Sequence, residues 1–214
     1  MRSEGTVARR NRVRMFGSAY FLSVAAGIAL VACSGGGGST ATAIVATTTV
    51  VPPATPPCSG EQRVTPSQPD DASFKAGSPE RTSLIEADNA GTRLTIAGIV
   101  LSTDCRPVAG ATLDFWQADG SGAYDNAGFR LRGHQTTGAD GRYKLDTIVP
   151  GLEAGRARHI NVKIDAANHA ALTTRLFFAG DASNATDRAF RDVLAMAVEQ
   201  SGAAKAAGFD FVLR

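Results

Sequence analysis

The chain has 214 residues, with 22 Lys and Arg against 20 Asp and Glu and a formal net charge of +2. Arg2, Arg9, Arg10, Arg12, Arg14 and the acidic Glu4 all precede residue 15, so the rest of the chain carries 17 basic against 19 acidic side chains, a net of −2. With no basic patch in that remainder, a nucleic-acid footprint is excluded, and the sequence pI of 8.6 mostly reflects the N-terminal run.

The basic run leads into the apolar stretch FLSVAAGIALVA, residues 21–32, and then Cys33. Charge followed by a short apolar core reads as an export signal. The core is shorter than the ~20 residues that a spanning helix needs. Leu30, Val31, Ala32 and Cys33 resemble the lipobox of bacterial lipoproteins, in which the signal is cut before the cysteine and its sulfur is acylated. Several acyl chains on one residue anchor stably, at ~0.8 kcal/mol per buried methylene. These readings predict residues 1–32 as a signal, Cys33 as the lipidated residue and a chain exported to the bacterial envelope. It is expected at an outer membrane or cell surface, touching lipid through the anchor alone.

Residues 34–57 hold no charged side chain and are rich in Gly, Thr and Pro. Such a segment is a tether with a root-mean-square span of roughly 25 to 30 Å. Lipidation of Cys33 leaves Cys58 and Cys105 as an even pair in a compartment where disulfides persist. A bridge between them is the expectation; two separate thiols are the alternative, because sequence does not place their Cα atoms in range.

Residues 58–214 fit one domain by length. RLTIAGIVL, ATLDFWQ, GRYKLDTI, HINVKI, LTTRLFF and FDFVLR are short runs rich in branched and aromatic residues. Turn formers such as CRPVAG, DGSG, GADG, VPG and AGD separate them, and this rhythm predicts an all-β antiparallel sandwich. At most one short helix is expected, around residues 186–199, where Thr186 could cap it and Phe190, Leu194 and Ala197 fall on one side. In HINVKI the period of two puts Ile160, Val162 and Ile164 on the buried face. His159, Asn161 and Lys163 share the other, where a solvated polar face is the common use of the pattern.

Five segments in order, CRPVAGATLDFWQADGSGAYDN, TTGADGRYKLDTIVPG, GRARHINVKI, LTTRLFFAGD and FDFVL, together resemble the intradiol ring-cleavage dioxygenases. The likeness covers roughly residues 58–214 and includes TPSQ and SPERTSLIE at the front; secreted relatives carry similar leaders and cysteines near Cys58 and Cys105. It implies a β-sandwich whose mononuclear ferric iron, Fe(III), opens catechol-type aromatic diols, with two tyrosinates and two histidines as ligands. Hard phenolate oxygens stabilise iron in that oxidation state.

Carried over residue by residue, the pattern puts the first tyrosine at Tyr124 and the first histidine at His159. Glu153 stands where the second tyrosine belongs and Asn161 where the second histidine does. Arg156 matches an arginine that stabilises substrate charge, and Arg175 sits where the family has a glutamine. Tyr143 falls at a packing position, His169 lies in a turn, and His134 either folds back over the site or stays a surface loop residue. Two replaced ligands leave three functional readings. The chain is an iron-dependent dioxygenase with a modified shell, a binding module that keeps the cleft for an aromatic ligand, or an inert envelope scaffold.

Overall fold

The structure is a computed structural model and describes residues 63–69 and 73–214. The segments read as signal and tether, with Cys33 and Cys58, lie outside the described residues.

Among the described residues, ten strands form two five-stranded sheets. They are β1 Arg93–Ser102, β2 Thr112–Trp116, β3 Arg132–Thr136, β4 Arg142–Ile148, β5 His159–Asp165, β6 Leu172–Phe178, β7 Ala195–Met196, β8 Val198–Ser201, β9 Ala204–Gly208 and β10 Phe211–Leu213. In the first sheet β1 pairs antiparallel with β4 and parallel with β9 and β10, and β8 closes the edge against β9. The second sheet runs β3-β2-β5-β6-β7, antiparallel except for the final pair.

β9 and β10 keep a single register along β1, Leu94 facing Lys205 and Val100 facing Phe211. The break between them is filled by Asp210, whose Oδ1 accepts from the Ile99 amide at 2.9 Å. There the Phe209 carbonyl lies over Gly98, only 1.8 Å from where a Cβ would stand. A glycine is obligatory at that crossing.

Between the sheets lie Leu94, Ile96 and Val100 of β1, Leu113 and Phe115 of β2, Leu145 of β4, Ile160, Val162 and Ile164 of β5, and Leu176 of β6, all buried. Burial of such side chains contributes roughly 1.5 to 3 kcal/mol each. The expected alternation in HINVKI is therefore present. Its polar face is not solvated, however: His159 is 4% exposed and Asn161 1%. The described leader covers that face. Its Gln68 side chain and Pro69 carbonyl accept from Arg175, the partner of Asn161, at 3.4 and 3.3 Å, and Phe74 meets the Trp116 ring edge-on at 4.9 Å.

The fold stays within the expected limit of at most one short helix, and none forms around residues 186–199. That stretch holds a 3₁₀ turn at Asp192–Leu194, strand β7 and the start of β8. Leu194 and Phe190 still pack, against Phe177, but Ala195 and Met196 pair with β6 and Val198 with β9. Backbone pairing with existing sheet edges outweighed the weak helical pattern. Cys105 sits in the turn after β1 at a φ of 64°.

Candidate metal and diol site

Directly paired residues in a sheet share a face, and register sets one row across four strands of the second sheet: Arg132, Trp116, Asn161 and Arg175. His159 stands beside this row, opposite Phe177. Tyr124 comes from the long β2–β3 connection, which two aspartates shape. The Asp119 carboxylate accepts from the Ser121 hydroxyl at 2.6 Å and from the Ser121 and Ala123 amides, and these bonds hold its carboxyl below the usual carboxylate range. Asp125 accepts from the Gly128, Arg130 and Ala127 amides at 2.7, 2.9 and 3.0 Å, with the same effect on its carboxyl. Gly122 packs against the next loop at a φ of +94°, where a Cβ would come within 2.1 Å of the Leu152 carbonyl oxygen. That contact sets the Tyr124 loop against Glu153.

Tyr124 Oη lies 3.2 Å from His159 Nε2 and accepts from Asn161 Nδ2 at 2.9 Å. His159 Nδ1 faces the Ala157 carbonyl at 2.7 Å. A carbonyl only accepts, so Nδ1 carries the proton and Nε2 presents its lone pair to Tyr124. Arg175 Nε donates to Asn161 Oδ1 at 3.2 Å. A single polar chain thus runs from Arg175 through Asn161 and Tyr124 to His159.

Four expected residues, Tyr124, His159, Asn161 and Arg175, are brought together by these bonds. Glu153 shares a cavity of about 670 Å³ with Tyr124, also lined by Ser73, Phe74, Lys75 and Arg132. Its Oε2 is covered and has no hydrogen-bond partner. Arg156 pairs with Asp187 at 3.2 Å, beside the Ala157 amide that donates to the same carboxylate oxygen at 2.8 Å, and so anchors the entry to β5. It is not among the side chains lining the cavity with Tyr124.

His134 does not fold over the site. It lies on β3, its Nδ1 3.2 Å from the Ser78 hydroxyl, which also donates to Asp114 Oδ1 at 2.9 Å. Burial pushes the Asp114 carboxyl up, against the Ser78 bond and the charges of His134, Arg132 and Lys163. Tyr143 packs in the core and donates to the Phe209 carbonyl at 2.7 Å. Arg132 was not anticipated as a site residue. Its side chain is 1% exposed, donates to the Asp125 and Ser73 carbonyls, and sits 6.0 Å from the centre of the Tyr124 ring. Only the register of β3 against Trp116 marks it, and β3 carries almost no apolar pattern in sequence.

Among the described residues no three His, Cys, Asp or Glu side chains gather in a way that could hold an ion. A metal at this face would therefore need Tyr124. Two donors each ~2 Å from a common ion stand ~3 Å apart, which the 3.2 Å approach of Tyr124 and His159 matches. Glu153 lines the cavity beside Tyr124 with a covered oxygen that has no partner, and a phenol, an imidazole and a carboxylate are donor types that suit iron. Asn161 does not fit as a ligand, because it turns its amide nitrogen, not its carbonyl, toward Tyr124.

Known proteins place the chain. A dioxygenase family model matches residues 72–214, well over half of its length. Catechol 1,2-dioxygenase 1 of Acinetobacter lwoffii is 30% identical over 122 residues, which are 45% of this chain and 39% of that protein. Hydroxyquinol 1,2-dioxygenase of Rhizobium sp. (strain MTP-10005) is 31% identical over 127 residues, 48% of this chain and 43% of that one. The chain thus matches about two fifths of these curated relatives' lengths. The dioxygenase domain of a dioxygenase carbohydrate-binding protein fusion from Streptomyces sp. SirexAA-E superposes with a TM-score of 0.69 at 50% identity, covering 71% of this chain and 98% of that one. With the sandwich, the Tyr124–His159 pair and these matches together, the chain belongs to the intradiol ring-cleavage dioxygenase family.

Proposed function

We propose that this protein is an envelope-anchored oxidoreductase of the intradiol type, which takes a catechol-type aromatic diol into the cavity beside Tyr124 and holds iron through Tyr124, His159 and Glu153. The observation that carries this reading is the 3.2 Å approach of Tyr124 Oη to His159 Nε2. The names of the relatives supply the substrate class, catechol and hydroxyquinol. Iron bound here would supply the redox chemistry by which an aromatic diol reacts with oxygen.

The chain's own residues do the rest. His159 keeps Nε2 directed inward because Ala157 holds Nδ1, an orientation of the kind that outer partners fix in metal sites. Phe74 and the Ser73 backbone wall the cavity, so the diol ring meets an aromatic side chain. Arg132, fixed by two carbonyls, places positive charge beside the Tyr124 ring. The N-terminal run, Cys33 and the tether support export and lipid anchoring. The parity of Cys58 and Cys105 supports their pairing.

A second reading, a diol-binding module without turnover, is favoured by Asn161, which fills a ligand position with an amide N–H. Oxygen uptake separates the two. The full chain, reconstituted with iron and given catechol, is expected to retain iron and consume oxygen. Catechol binding with no oxygen consumed would select the binding module, and absence of both would reject the site.

A further inference from the structure

Asn161 and Arg175 face each other across β5 and β6, and both are buried, at 1% and 5% exposure. A guanidinium has donors only, so the Asn161 atom 3.2 Å from Arg175 Nε must be the carbonyl oxygen. The amide nitrogen is then forced toward Tyr124 Oη, at 2.9 Å. Arg175 is itself held from the leader, by Gln68 Oε1 at 3.4 Å and the Pro69 carbonyl at 3.3 Å. The Gln68 amide is in turn pinned to the Thr173 carbonyl.

Resting on the metal reading above, we infer that Arg175 is a positioning residue that keeps Asn161 out of the metal shell and makes it a hydrogen-bond donor to Tyr124. An amide nitrogen has no lone pair to give a metal, whereas its carbonyl oxygen has. By occupying that oxygen, Arg175 closes a fourth protein ligand position. The shell keeps three protein donors and a more open face for the two oxygens of a diol. The Asn161 N–H then stabilises the phenolate, as outer hydrogen bonds tune metal ligands.

The test uses the full chain stripped of metal, with iron alone as the probe, read by iron per chain, competition with a chelator and the phenolate-to-iron absorption band. Arg175→Met frees the Asn161 carbonyl and is expected to tighten iron binding by about tenfold, of the order that changes around metal ligands produce. Arg175→Lys, which can still donate to that carbonyl, is expected to behave as the parent does. The double variant Asn161→Ala with Arg175→Met is expected to lose the gain. Asn161→Ala alone should keep one iron per chain and move the band to longer wavelength, because its phenolate lacks a donor. That measurement stands even if the buried Arg175→Met protein fails to fold.

Unchanged affinity in a folded Arg175→Met protein overturns the inference, as does a gain that persists in the double variant or loss of iron in Asn161→Ala. Absence of iron from the parent chain overturns the metal reading itself and this inference with it.

Discussion

At the scale of single residues, the molecule depends on places where backbone and side chain leave no latitude. Gly98→Ala drives a methyl into the Phe209 carbonyl, whose oxygen lies 1.8 Å from the Cβ position. The shift needed to relieve it separates β1 from the β9–β10 line, so the variant is expected to lose about 2 to 3 kcal/mol in urea denaturation. An unchanged midpoint would contradict the packing described for that crossing. Tyr124 and His159 were legible in sequence because their motifs have fixed spacing. The orientation of Asn161 was not, since it depends on Arg175 a full strand away. Alternation in HINVKI told which side chains share a face, but burial of the polar side comes from the leader, far off in sequence.

At the scale of elements, the leader is the piece that turns an outer sheet surface into a site. Ser73 and Phe74 cap Trp116, the chain's single tryptophan, through an Nε1 to hydroxyl bond of 3.2 Å and an edge-on ring contact. Phe74→Ala is expected to open this wall, shift the Trp116 emission to longer wavelength and cost about 1 to 2 kcal/mol of stability. A spectrum identical to the parent would mean that the leader does not shield the ring. Six strands were readable from branched and aromatic runs. β3, β7, β8 and β9 were not, because RGHQT, AM, VEQS and AKAAG carry no strand pattern of their own and take their form from neighbours. The same cause explains why the weak helical pattern at residues 186–199 gives no helix: sheet edges decide the conformation of weakly patterned segments.

At the scale of the whole molecule, folding is tied to a set of ionised aspartates. Burial raises the Asp187 and Asp181 carboxyls, but this is outweighed by backbone amides, the Ser183 hydroxyl and the partners Arg156 and Arg158, so both lie below the ordinary value of 3.8. A group whose folded value is lowered contributes stability that is fully present above its unfolded value and lost as pH falls through that value toward the folded one. The urea midpoint is therefore expected to hold from neutral pH down to the upper carboxylate range and to drop below it. Asp187→Asn should cost about 1 to 2 kcal/mol at neutral pH and flatten part of that drop; an acid profile no different from the parent's would contradict this role. The all-β sandwich and its family were legible from the order of five motifs, whereas the closed polar chain at its face required coordinates.

Convergence of Tyr124 and His159 on a metal is tested by the visible spectrum of the iron-loaded full chain beside its Tyr124→Phe variant. A phenolate-to-iron band in the parent that vanishes in the variant is the predicted result, because Tyr143, the other tyrosine among the described residues, is buried in the core with its hydroxyl bonded to Phe209. A band that survives the substitution, or a parent chain that holds no iron, would contradict the claim.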